Sequence, residues 1–163
     1  MTFVLRSPTF SDNGRLPKEC VHHAMGAGGD NLSPELVWEG APAGTKGFAL
    51  TLYDPDAPTG SGWWHWVVYD IPATADRLPA GAGTADGKRL PPPSKQGRTD
   101  FGTREYGGAA PPPGHGPHRY VFTLYALNTD KLNVPEDASA AYVGFLIHFA
   151  KLGEAKLSAT YER

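Results

Sequence analysis

The chain has 163 residues (17.5 kDa), and 20 Gly with 16 Pro make 36 of them backbone specialists, which excludes a long-helix bundle and a coiled coil. Four Trp, seven Tyr, seven Phe and 40% hydrophobic residues exclude a disordered chain, so the Gly and Pro sit in ordered loops between short core segments. A formal charge of -2 gives no polycationic face for nucleic acid, and one cysteine gives neither an internal disulfide nor a CxxC zinc site. No stretch approaches the roughly 18 apolar residues of a membrane span, so no integral membrane association is expected. These bounds predict a single cytoplasmic domain over residues 1–163, with a leader removed before residue 1 left open.

Residues 3–5 begin a short strand, and 16–31 read as a polar, glycine-rich arm. LVWE at 36–39 is a short strand followed by a turn. GFALTLYD at 47–54 is an apolar, β-prone run that stops at Asp54-Pro55. WWHWVVYDI at 63–71 carries the densest aromatic and β-branched signal, and Pro72 closes it. The stretch 73–118 has almost no periodicity and exceeds ordinary loop length, so it holds short hidden elements or a functional loop system. HRYVFTLYAL at 118–127 is apolar at nearly every position, which predicts cover on both faces. Pro135-Glu136-Asp137 suits the opening of a helix whose apolar face is Tyr142, Phe145, Phe149 and Leu152. Gly153 ends or interrupts that helix, and LSATYE at 157–162 reads as a last strand.

The common catalytic signatures are missing: there is no GxSxG, P-loop, GxGxxG after a strand, HExxH or EF-hand pattern. Cys20 reads as an ordinary loop cysteine, and His22, His23 and His148 as structural. The chemistry gathers at strand edges. Two prolines stiffen DPDAP at 54–58, which either makes an Asx-type turn or presents one acid to a pocket while a cation ties down the other. Period two places Trp63 and His65 on one face, with Trp64 and Trp66 on the other. His118 and Tyr120 share a face at the start of their strand, while Arg119 points away as a partner for Asp56 or Asp54. His115 lies in the GHG segment beside them and ranks below His118. Several histidines near Asp54 admit zinc, but nothing fixes a ligand spacing, so no metal and no cofactor are expected.

Asn31-x-Ser33-Pro34 with Leu36 and Trp38, GTK at 44–46, DPDAP at 54–58, TGSGWWHWVV at 59–68, Asp100–Gly102, Tyr106-Gly107-Gly108 and Pro111-Pro112 through His118-Arg119-Tyr120 carry a family resemblance over roughly residues 30–163. The sequence resembles the phosphatidylethanolamine-binding proteins (PEBP), in the bacterial, Raf-kinase-inhibitor-like branch. The resemblance implies a mainly β fold (α+β in some schemes), in which a large antiparallel sheet packs on a smaller one, with peripheral helices including one near the C-terminus. It implies a small anion-binding cavity lined by Asp54, Ala57, Pro58, His65, Pro111, Pro112, His118 and Tyr120. Asp56 paired with Arg119, and Trp63 beside them, would give structural support. It also implies a cis bond at Ala57-Pro58. Three departures stand out: Ala110 replaces a cysteine found in many bacterial relatives, Trp64 precedes His65 where mammalian members carry a histidine, and Gly60-Ser61-Gly62 replaces charged residues at the pocket mouth.

The function this implies is binding of a small anionic or phosphorylated molecule: phosphate, a phospho-headgroup or a carboxylate. His65, His118 and Tyr120 would donate to it, Asp54 would orient a histidine or accept a proton from the ligand, and the prolines would shape the wall. An enzyme of the lyase, isomerase or cyclase type, using Asp54, His65, His118 and Tyr120 for acid–base work, is the weaker alternative. A kinase or protease inhibitor acting on a protein partner is a third, and a homodimer is left open.

Overall fold

The three apolar runs lie side by side in the computed structural model, which describes residues 1–163. β4 (Gly47–Asp54) is flanked antiparallel by β5 (Trp63–Pro72) and β8 (His118–Leu127), and β8 pairs antiparallel with β9 (Lys151–Tyr161). Two short strands, β2 (Gly14–Arg15) and β7 (Lys95–Gln96), complete a six-stranded sheet in the order β2-β9-β8-β4-β5-β7, in which only β2 runs parallel to its neighbour. β1 (Val4–Arg6), β3 (Leu36–Glu39) and β6 (Arg77–Leu78) form a smaller antiparallel sheet. This is the two-sheet arrangement expected.

Side-chain alternation sorts the core. Phe48, Leu50 and Leu52 of β4 join Phe122 and Leu124 of β8 against Leu5, Leu36, Trp38 and Leu78 of the smaller sheet. Ala49, Val67, Tyr69 and Leu127 point the other way, where Ala140, Val143, Ile147 and Ala150 of α1 (Ala140–Ala150) cover them. Both faces of β4, β5 and β8 are therefore covered along most of their length, and the strands are apolar at nearly every position for that reason. The long 73–118 stretch does contain hidden elements, β6 and β7, and is tied to the sheet where Gly97 donates to the Val67 carbonyl at 2.9 Å.

The helix departs from the sequence reading in its start and in its face. Residues 135–138 make only a turn. Ser139 is the N-cap, its hydroxyl accepting from the Tyr142 amide at 3.1 Å, a role for which Pro135 has no side-chain acceptor. Tyr142, Phe145, Phe149 and Leu152 face solvent. AAYVGFLIHFA is apolar on every side, so periodicity did not choose between faces; small and β-branched side chains seat closer to a sheet than a row of aromatics does. Gly153 neither ends nor interrupts the helix: the chain enters β9 at Lys151, and Gly153 sits there opposite Ala126. Ala57-Pro58 is trans, with the Thr59 amide donating to the Ala57 carbonyl at 2.7 Å, and the one cis peptide bond is Pro92-Pro93. No helix is long and apolar enough to cross a membrane.

Candidate functional site

β4 ends, and β5 and β8 begin, at one edge of the large sheet, which brings Asp54, His65, His118 and Tyr120 together. The β4–β5 register slips there. Leu52 faces Trp66 while Tyr53 faces Trp64, leaving His65 as the extra residue of a bulge. Strict alternation placed Trp64 and Trp66 on one face; the bulge separates them. Trp66 enters the core between the sheets, and Trp64 stacks on Tyr53 at 4.3 Å on the opposite side. Trp63 and His65 share one cavity, as alternation expected.

That cavity has a volume of about 200 Å³, and all eight residues named for the pocket line it. Its polar floor is a hydrogen-bonded series. Asp54 is buried, and its two carboxylate oxygens divide the work: Oδ1 accepts the Asp56 amide at 2.7 Å, closing an Asx turn, and Oδ2 accepts His118 Nδ1 at 2.7 Å. The turn and the pocket reading of DPDAP thus both hold. His118 Nε2 then meets His115 Nδ1 at 2.6 Å. Two ring nitrogens at that distance share one hydrogen, so the three side chains form a single proton-sharing chain that ends on exposed His115. The chain is serial, not convergent, and no group of three His, Cys, Asp or Glu side chains is arranged to hold a metal ion.

His65 is not the donor that the sequence suggested. Its Nδ1 lies 2.8 Å from the Gly107 carbonyl, which only accepts, so the ring proton sits on Nδ1 and Nε2 is left as an acceptor. Burial pushes the imidazole down to about 4, against weaker upward pulls from the Gly107 carbonyl and Asp54, and the ring is neutral at pH 7. Tyr120 is raised, first by burial and then by the neighbouring Asp54, and remains a protonated phenol able to donate. Its ring stands edge-on to His65 at 5.3 Å and nearly parallel to His118 at 6.4 Å.

Met25, Thr59, Trp63, Phe101 and Ala110 complete the wall. Phe101 is wedged against Trp63, His65 and His22 with ring centres 5.4, 5.4 and 5.0 Å away. Its loop is anchored by Asp100, which accepts the Trp64 amide at 2.8 Å. Asn31 braces the neighbouring loop by donating to the Tyr106 carbonyl at 3.1 Å and accepting the Gly108 amide at 2.7 Å. Gly107 is required because a Cβ there would stand 2.3 Å from the Phe101 ring. Gly107→Ala is therefore expected to cost roughly 1–3 kcal/mol in chemical denaturation, because Phe101 must leave its three ring neighbours and shift into the cavity to make room.

Behind the cavity, Arg119 grips Asp56 with two parallel hydrogen bonds of 2.9 Å, and its backbone amide adds a third at 2.8 Å. The Arg119 side chain holds the Asp56 carboxyl down to about 2. Asp56 thus turns away from the cavity while Asp54 enters it. Cys20 is buried and its thiol is pushed up to about 12 by burial, with Glu19 adding, so it supplies no thiolate. His22 stacks on Phe101 and accepts the Ala24 amide at 2.9 Å, and His148 lies on α1 against Phe149. His115, Phe101, Met25, Thr59 and Ala110 are the lining or polar residues that the sequence left out of the pocket. The two glycines around His115 and the aromatic text around Trp63 were the available signals for the first two.

The geometry is that of a small polar-floored cavity at a sheet edge, and the comparisons name the class. A family model for phosphatidylethanolamine-binding protein matches residues 6–162. The chain belongs to the PEBP family. Within it, the UPF0098 protein YbhB of Escherichia coli is 50% identical over 157 residues, covering 96% of this chain and 98% of YbhB. The UPF0098 protein YbcL of the same organism is 47% identical over 160 residues, covering 98% of this chain and 87% of YbcL. The crystal structure of E. coli YbcL, described as a new member of the mammalian PEBP family, matches with a TM-score of 0.97 at 46% identity, covering 100% of this chain and 99% of that one. These relatives place the chain in the bacterial, Raf-kinase-inhibitor-like branch.

Proposed function

We propose that the cavity binds a small oxyanion (phosphate, a phospho-headgroup or a carboxylate) together with a proton. The observation that supports this is the Asp54–His118–His115 series. No lysine or arginine lines the cavity, and Arg163 reaches only its rim, where it donates to the Pro111 carbonyl at 2.7 Å, so the positive charge that meets an anion inside it comes from protonated imidazole. Asp54 repels an anion unless a proton lies between them, and the series is built to hold that proton. His118 and His115 carry it, the Tyr120 hydroxyl donates, and neutral His65 accepts a hydrogen where the ligand or a water beside it offers one. Ala57, Pro58, Pro111 and Pro112, with Trp63 and Phe101, form an apolar collar that keeps water from competing.

Proton coupling has a direct test. Titration calorimetry with inorganic phosphate, run in buffers of different ionisation enthalpy, reads the protons taken up on binding. Above neutral pH, uptake approaching one proton per site is expected, with affinity falling up to about tenfold per pH unit. Binding that takes up no proton and is independent of pH between about 5.5 and 8.5 sinks the proposal, because histidine charge changes in that range.

A further inference from the structure

β9 buries alternate residues, Ala155, Leu157, Ala159 and Tyr161, on the face of the large sheet that meets the smaller one. Its register sets Ala159 opposite Tyr120 and Tyr161 opposite His118, so these side chains share a face with the cavity. Period two carries Arg163 to that face one step beyond Tyr161. There it reaches the cavity mouth, where Nε donates to the carbonyl of the wall residue Pro111 at 2.7 Å. Its backbone oxygen accepts the Gly114 amide, also at 2.7 Å. Nη1 lies 3.4 Å from the point that a Cβ on Gly26 would occupy, and Gly26 follows the wall residue Met25. The guanidinium thus touches both loops that bring Met25 and Pro111 to the wall.

Two more cations gather around Tyr161. Lys18 Nζ donates to the Ala27 carbonyl at 3.0 Å and to the Tyr161 hydroxyl at 3.4 Å, and the Arg15 guanidinium lies 4.6 Å over the Tyr161 ring. None of Arg15, Lys18 and Arg163 is paired with a carboxylate. Burial and Asp54 raise the Tyr120 phenol and Arg163 opposes them, so its charge is felt inside the cavity. A guanidinium offers paired N–H donors that fit a carboxylate or a phosphate, and only Nε of Arg163 is occupied. We propose that Arg163 forms a second anion subsite at the mouth, so that the ligand is a small molecule with two anionic groups. One group lies on the His118–His115 pair, and the other, a carboxylate or phosphate, lies on the Arg163 guanidinium. This inference rests on anion binding in the cavity. Arg163 follows the partner of His118 by two residues, roughly 7 Å along the strand, so a short linker joins the two groups. The inner charge depends on a proton, whereas the outer one is fixed.

Calorimetry with 3-phosphoglycerate and glycerol 3-phosphate tests this, because the two differ only by a carboxylate in place of a hydroxymethyl group. At low ionic strength 3-phosphoglycerate is expected to bind about fivefold more tightly, the upper range for an ion pair open to solvent. Arg163→Gln is expected to bring that ratio close to one, and Arg163→Lys to keep part of it. The ratio is read within each protein, so a loosened Pro111 loop, which weakens both ligands alike, does not move it. Lys131→Gln removes the same charge beyond the far end of β8 and should leave the ratio at the wild-type value. Glycerophosphoserine compared with glycerophosphoglycerol reads the source. A preference for the serine compound supports a lipid headgroup, and a preference confined to 3-phosphoglycerate supports a free phosphomonoester. Equal affinity of the wild type for 3-phosphoglycerate and glycerol 3-phosphate overturns the second subsite and leaves the cavity reading standing. A preference that survives Arg163→Gln, or falls as far in Lys131→Gln, overturns it as well. Failure of both ligands to bind overturns the cavity reading and this inference with it.

Discussion

His118→Ala is expected to remove phosphate binding and to cost roughly 3 kcal/mol of stability, the cost of leaving a buried charge without its partner. His118 sits between the two ends of the proton-sharing chain, so its loss separates Asp54 from His115 and removes the ring that carries the proton. Asp54 and His118 are both buried, and the carboxylate left behind keeps only the Asp56 amide and the neighbouring Tyr120 hydroxyl to compensate it. Adding Asp54→Asn to His118→Ala removes that orphaned charge. The double variant should therefore regain part of the stability and none of the binding. Chemical denaturation and calorimetry on the two variants separate the effects. Phosphate binding that survives His118→Ala within a few-fold contradicts the role given to the series.

His65 makes the second large effect, and it is read through pH. Its folded value, about 4, lies below the value of about 6.5 that histidine has in an unfolded chain. The unfolded state therefore binds the extra proton first, and acid favours unfolding. The stabilisation from burying neutral His65 is fully present above about pH 6.5 and is lost as pH falls towards 4, amounting to roughly 3 kcal/mol across that window. His65→Gln keeps a donor for the Gly107 carbonyl and has no proton to gain. Its stability should change less between pH 6.5 and 4 than that of the wild type by about that amount, measured by denaturant titration at each pH. Parallel curves for the two proteins contradict a buried neutral His65. Asp56, held low by Arg119, loses its contribution only at more acid pH and does not obscure the window.

The long strands were legible because β4, β5 and β8 are covered on both faces along most of their length, which leaves a dense apolar and β-branched text. Asp54, His118 and Tyr120 were legible because they sit at the ends of those strands, next to prolines and glycines that fix the backbone. The bulge at His65 was not legible, since a one-residue slip between β4 and β5 leaves no mark in either strand alone. It altered where Trp66 lies and, with the Gly107 carbonyl, made His65 an acceptor. His115, Phe101 and Met25 reach the cavity from loops whose positions depend on distant partners such as Asp100 and Trp64. The face of α1 was misread for the opposite reason: a helix apolar on all sides carries no directional signal. The size of the side chains decided which side met the sheet.

The high glycine and proline content has a specific use around the cavity. Pro58, Pro111 and Pro112 are wall, Gly107 is the gap that Phe101 fills, and Gly114 and Gly116 bracket His115 in left-handed backbone. Stiff turns hold the polar series against a sheet edge that would otherwise end in solvent.

A crystal structure of the chain soaked with phosphate at mildly acid pH tests the proposed site most directly. Phosphate oxygens should lie within hydrogen-bond distance of the His118–His115 pair and of the Tyr120 hydroxyl, with Asp54 still holding His118 Nδ1. A cavity that stays empty at saturating phosphate, or phosphate bound only elsewhere on the surface, contradicts anion binding at this site.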